Sequence, residues 1–174
     1  MASIARPRSP FERGVAALVR TAARVPPARY AGHRVARALA AKHHVAAIAA
    51  VFDTSGHVLV VERAIRPGVP SLPGGWVRRH EDPHGAILRE LREELGIAPR
   101  LIGPVHCESH ATRGKAPSGI TIAFAAILDH DVPLVLSAEL LSASWCSEPP
   151  QNLSVFEREV VFRARNASPA PMRG

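Results

Sequence analysis

The chain of 174 residues has the length of one domain with residues to spare, and 47% of them are apolar, which argues against wholesale disorder. The net charge of +7 belongs to one end: residues 1–44 hold nine Lys and Arg and one acid, Glu12, while the other 130 hold 13 basic and 14 acidic residues. A nucleic-acid-binding domain is expected to carry a basic patch within its fold, so this distribution argues against a nucleic-acid-binding body, in which no specific nucleic-acid site is evident, and no apolar run nears the ~20 residues of a membrane-spanning helix.

The basic arm, residues 1–43, reads as two helical segments, 10–24 and 28–42, parted by Pro26-Pro27. Its Arg- and Ala-rich, acid-poor composition fits a loosely docked extension, an organelle transit segment or a basic helix on an anionic membrane surface. Arginines break "GVAALVRTAARV", which makes it a poor secretory signal. Cys107 and Cys146 match no zinc spacing and read as reduced thiols, so a cytoplasmic setting is expected.

From residue 44 the texture changes. "VAAIAAVF", 45–52, and "VLVVE", 58–62, read as strands joined by the turn residues "DTSGH". Residues 64–75, punctuated by prolines and glycines, read as loop. Asp82 suits an N-cap, Pro83 the first helical position, and Gly96 the position after the helix end. Between them Ile87, Leu91 and Leu95 form a core-facing stripe, with Glu90, Glu93 and Glu94 expected largely away from it.

Strands are expected at 101–111 and 120–128, the second with Ile120, Ile122, Phe124, Ala126 and Leu128 on one face. The basic link "RGKAPSG" joins them. Another strand ends near Trp145, and "NLSVFEREVVFRAR" reads as a closing helix with Leu153, Phe156 and Val160 inward. A disordered tail, 166–174, is expected to follow, with Asn166-Ala167-Ser168 as an unused glycosylation triplet. The order strands, helix, strands, helix is that of an α+β fold or a mixed-sheet sandwich with helices on its faces.

The chemistry concentrates in "GWVRRHEDPHGAILRELREELGI", 75–97. Three carboxylates at i, i+3 and i+4 repel one another, and two lie near a helix C-terminus, where the macrodipole disfavours anions. A solvated acidic helix face is one reading. The other is a site for a hard divalent cation, which takes oxygen ligands and substrate phosphates.

The whole stretch resembles the Nudix hydrolase signature: G, five residues, E, seven residues, then R-E-U-x-E-E-x-G-U with U a bulky aliphatic. Gly75, Glu81, Arg89, Glu90, Leu91, Glu93, Glu94, Gly96 and Ile97 fill its fixed positions. "LPGGWV" resembles the family's lead-in, and "LSAELLSASW" its strand region after the signature. The resemblance spans about 44–165. The family departs from this chain before Glu81, where it usually has glycine and this chain has His80. Arg78 and Arg79 stand where members often carry an acid.

The resemblance implies an α/β/α sandwich and Mg²⁺ or Mn²⁺. It implies Glu90 and Glu94 as main metal ligands, with Glu93 and the Gly75 carbonyl completing the set. Arg89 would brace the carboxylates, and Glu81 would hold that network or reach a second ion. Glu93 is the first candidate for general base and Glu139 the second. Arg63 resembles a phosphate-contacting position, and Arg113 and Lys115 are candidates for the same role from the basic link. Trp76 and Trp145 are candidates for stacking on a base or for packing. His106, Glu108 and His110 share a polar strand face. The implied activity is hydrolysis of a phosphoanhydride in a nucleoside diphosphate linked to another moiety. The alternative is a non-catalytic nucleotide-sensing module on the same fold, and members are often dimers.

Overall fold

The computed structural model describes residues 43–110 and 119–167. The helical segments expected at 10–24 and 28–42, together with Arg113 and Lys115, lie outside the described residues. Seven strands and two helices follow in the order β1 (His44–Phe52), β2 (Val58–Arg63), β3 (Pro70–Ser71), β4 (Gly74–Trp76), α1 (Pro83–Leu95), β5 (Arg100–His110), β6 (Gly119–Ile127), β7 (Leu140–Cys146) and α2 (Val155–Ala167).

The β1–β2 hairpin is set by Asp53, whose Oδ1 accepts the N–H groups of Ser55 and His57 at 2.9 and 2.7 Å. Gly56 supplies the positive φ that the turn needs. The strands separate at once, with Phe52 opposite Val58 their one pairing. β1 runs parallel to β6 along its whole length and antiparallel to β4, while β2 lies antiparallel to both β3 and β7. β5 pairs antiparallel with β6 through two register shifts near Gly103 and Pro104. The sheet is therefore mixed, as expected.

Strand alternation divides the apolar side chains between two cores. Ala47, Ala49 and Val51 of β1, Leu59 and Val61 of β2, and Phe124 and Ala126 of β6 meet Ala86, Ile87, Leu91 and Leu95 of α1. The intervening residues Ala50, Phe52, Val58, Val60, Ala123 and Ala125 meet Val160, Val161 and Ala164 of α2. One helix covers each face, giving the expected α/β/α sandwich. Both cysteines are free thiols. No helix among the described residues is long and apolar enough to cross a membrane.

Three expectations need correction. The stretch 64–75 is not all loop, because it holds β3 and the start of β4. Gly74 makes the second possible: a Cβ there would lie 2.2 Å from the Ala47 carbonyl oxygen, so only glycine lets this backbone approach β1. The closing helix begins at Val155, leaving Leu153 buried just before it; its inward face is Val160, Val161 and Ala164, and it runs on through Asn166 and Ala167, where the tail is expected to begin, the rest of that tail lying outside the described residues. Finally, Glu94 does not point away from the core. It is 3% exposed, three residues from Leu91 on the flank of the apolar stripe.

Candidate active site

The Asp82 side chain accepts the Gly85 N–H at 2.9 Å and caps α1, and Gly96 in the left-handed conformation ends it. The strained end foreseen from the acidic last turns is relieved by the segment before β7. There the N–H groups of Val135 and Ser137 donate to the carbonyls of Leu95 and Glu94, each at 2.9 Å. The last two turns of α1 thus stand fixed beside β4 and the end of β2.

Arg89 is the hub. Its Nε and Nη2 donate to Glu81 at 2.7 and 2.9 Å, a two-pronged pair, and Nη1 donates to Glu90 at 2.7 Å and Glu93 at 3.0 Å. Nη2 also reaches the Trp76 carbonyl at 3.0 Å, tying the helix to β4. Hydrogen bonds from Arg89, and from the Arg78 backbone, hold the Glu81 carboxyl down to about 2, and the same glutamates raise the Arg89 guanidinium above its ordinary value. Glu81 is therefore an anion at any working pH.

Glu94 meets Arg63 from the end of β2, with Nη1 to Oε1 at 2.5 Å and Nη2 to Oε2 at 3.3 Å. Arg63 also donates to the Gly74 carbonyl, and the Gly74 N–H donates to Glu94 at 3.3 Å. Burial pushes the Glu94 carboxyl up, against the pull of Arg63. Glu93, half exposed, is shared between Arg89 and Arg78, whose Nη2 lies 3.1 Å from Oε2. Four glutamates and three arginines thus leave the cluster with one net negative charge.

Glu90 lies against Gly75. A Cβ on Gly75 would sit 2.6 Å from the Glu90 carboxyl carbon, so the signature's first glycine is a cradle for a carboxylate. The available donors, three carboxylates and a main-chain carbonyl, are all oxygen and fit a hard divalent cation. Among the described residues no three His, Cys, Asp or Glu side chains are gathered as a ligand set. Arginines hold the carboxylates in this conformation.

The structure brings Glu81, Arg89, Glu90, Glu93, Glu94, Gly75 and Arg63 together. Arg63 is engaged with Glu94 and Gly74 rather than turned to solvent. Glu139 is exposed on the turn before β7, its carbonyl accepting the Ala64 N–H at 2.8 Å beside Arg63. His106 packs against Phe156 of α2 at 5.4 Å between ring centroids and lies 3.8 Å from Glu108, so it belongs with the other core. Trp76 is exposed with its edge against His44, while Trp145 packs into the α1 core.

Sequence reasoning missed the ion pair of Arg78 with Glu93, since loop conformation decides it. It also missed a recess of about 260 Å³ on the α2 side of β2 and β7, lined in part by Glu62, Ser142, Ser144 and Asn152. Small polar residues on a strand give no pattern that foretells such a cavity.

The NUDIX domain model matches residues 42–161. ADP-ribose pyrophosphatase of Methanocaldococcus jannaschii is 30% identical over 89 residues, 50% of this chain and 52% of that protein. RNA pyrophosphohydrolase of Acidiphilium cryptum is 42% identical over 62 residues, 33% of this chain and 38% of that protein. The chain thus spans about half, or less, of the length of these curated relatives. Among solved structures, the MutT protein from Methanosarcina mazei Go1 superposes with a TM-score of 0.57 at 25% identity, over 74% of this chain and 96% of that one. The NUDIX domain of Shewanella oneidensis NrtR, solved with ADP ribose, gives 0.59 at 20% identity over 75% and 90%, a likeness of fold alone. With the signature complete and the family model covering most of the chain, this protein belongs to the Nudix family.

Proposed function

We propose that the protein is a divalent-metal-dependent hydrolase. It cleaves a phosphoanhydride bond of a nucleoside diphosphate linked to another moiety, by attack of water on phosphorus. Residues 44–167 form the catalytic domain, 1–43 a basic arm suited to an anionic surface, and 168–174 a tail. The observation that carries the reading is that the last two turns of α1 set Glu90 against Gly75 and Glu94 against the Gly74 N–H, with Glu93 tied to Glu90 through Arg89. Relatives named for ADP-ribose, RNA and 8-oxo-dGTP share a nucleotide with a phosphoanhydride, which supports the substrate class without selecting within it.

Glu90, Glu94 and the Gly75 carbonyl would hold Mg²⁺ or Mn²⁺, with Glu93 as a further ligand. When bound, such an ion neutralises phosphate oxygens and acidifies an attacking water. Arg89 keeps Glu81, Glu90 and Glu93 close together, which limits the rearrangement that binding has to drive. Glu93, exposed at the end of α1, is the first choice for taking the proton of the water, and Glu139 the second. Arg63 stabilises buried Glu94 as an anion, which would otherwise tend to protonate and lose its ligand character. Arg113 and Lys115 remain candidates for phosphate contacts.

The test is a panel of nucleoside triphosphates, dinucleotides, nucleotide sugars and capped or triphosphorylated RNA, incubated with Mg²⁺ and read by product analysis. Turnover of at least one class is expected, with Glu94→Gln and Glu93→Gln lowering it by 100-fold or more. Because Glu94 is buried, circular dichroism must show that variant folded, and exposed Glu93 serves as the cleaner probe. Tight nucleotide binding with no hydrolysis would replace the enzyme by a sensing module.

A further inference from the structure

The three arginines of the cluster are held very unequally. The Arg89 side chain is 15% exposed and the Arg63 side chain 23%, and each meets several acceptors at once. Arg78 is 62% exposed, and among the described residues its guanidinium pairs with Glu93 alone, itself 48% exposed. The main chain of Arg78 is fixed separately. Its N–H donates to the Glu81 carboxylate at 2.8 Å, and its carbonyl accepts the Glu81 N–H at 3.2 Å. The side chain is therefore able to release Glu93 without disturbing the loop.

We propose that Arg78 is a resident counter-cation of Glu93 that an incoming divalent ion must displace, so that this loop residue sets the metal affinity of the protein. The inference rests on Glu93 being a metal ligand, as in the function proposed above. A guanidinium and a divalent ion compete for the same carboxylate oxygens. Exposed ion pairs are weak, so the metal wins the competition, and the lost pair appears as a reduced affinity. Arg89 is unsuited to this role, since its departure would strip Glu81, Glu90 and Glu93 together. Arg79 is the natural control: it carries the same charge on the same loop and makes no ion pair among the described residues.

The experiment titrates the full-length protein with Mn²⁺ and follows the free ion by electron paramagnetic resonance. Arg78→Gln is expected to bind Mn²⁺ about threefold to fivefold more tightly than the wild type, the range an exposed pair allows. Arg79→Gln should change affinity less than about twofold, as screened charge alone does, and Arg78→Lys should stay near the wild type. Equal shifts in Arg78→Gln and Arg79→Gln, or none in either, with a wild type that binds, would overturn the competition and leave the metal site standing. A wild type that binds no Mn²⁺ would overturn the metal site and this inference together.

Discussion

His80 is the one non-glycine residue with positive φ among the described residues, at 65°. It occupies the third position of a turn closed by the Glu81 N–H on the Arg78 carbonyl, a position that favours glycine when φ is positive. The departure from the family pattern at this position is therefore a departure in backbone preference, with the turn itself retained. A side chain in the left-handed region costs about 1–2 kcal/mol, against a smaller entropic cost of introducing glycine. His80→Gly should raise the unfolding free energy by about 0.5–1 kcal/mol, read as a higher urea midpoint at unchanged slope. A lower midpoint would mean that the exposed imidazole makes a contact worth more than the strain.

At the scale of elements, β4 and α1 form a unit in which two adjacent glycines do different work. Gly74 has φ 140°, and a Cβ there would strike the backbone of Ala47 and Ile48, neither of which is able to yield. The nearest atoms to a Cβ on Gly75 are those at the end of the Glu90 side chain, which is able to swing away. Gly74→Ala should cost about 2–4 kcal/mol of stability. Gly75→Ala should fold with a far smaller loss while hydrolysis falls sharply, as Glu90 leaves its place beside Arg89. Paired urea melts and rate assays check this, and similar stability losses in the two variants would refute the division of labour. The helix was legible from its N-cap, its fourfold apolar spacing and its terminal glycine, because these are local rules. β3 and β4 were not, because strands this short form only where a neighbour's backbone accepts them. The burial of Glu94 was equally invisible, since it depends on Arg63, which lies 31 residues away along the chain.

For the molecule as a whole, alternation in β1, β2 and β6 was readable as a pattern, yet periodicity alone could not say that both faces are covered. "VAAIAAVF" and "ITIAFAAIL" are apolar at nearly every position, so only the packing assigns their alternate residues to the α1 side and the α2 side. Small alanines on β1 and β6 let both helices sit close to the sheet, so aromatic residues are scarcely needed. The site uses this rigidity: Arg63 and Gly74 leave the sheet on one side, Glu90 and Glu94 descend from the helix on the other.

The parallel ladder that joins His44–Phe52 to Gly119–Ile127 carries a kinetic consequence. Its two strands cannot meet until the chain between them, including α1 and β5, has been drawn into a closed loop, which makes this pairing costly in entropy and slow. We predict that the ion pairs of the site, whose geometry needs β2, β4 and α1 fully packed, lock after this pairing. Ala123→Gly, at the middle of the ladder, should slow refolding severalfold. Glu94→Gln should leave refolding nearly unchanged and speed unfolding, as stopped-flow chevrons would reveal. In that order of events the polypeptide reaches its native topology first and gathers its crowded negative charge last.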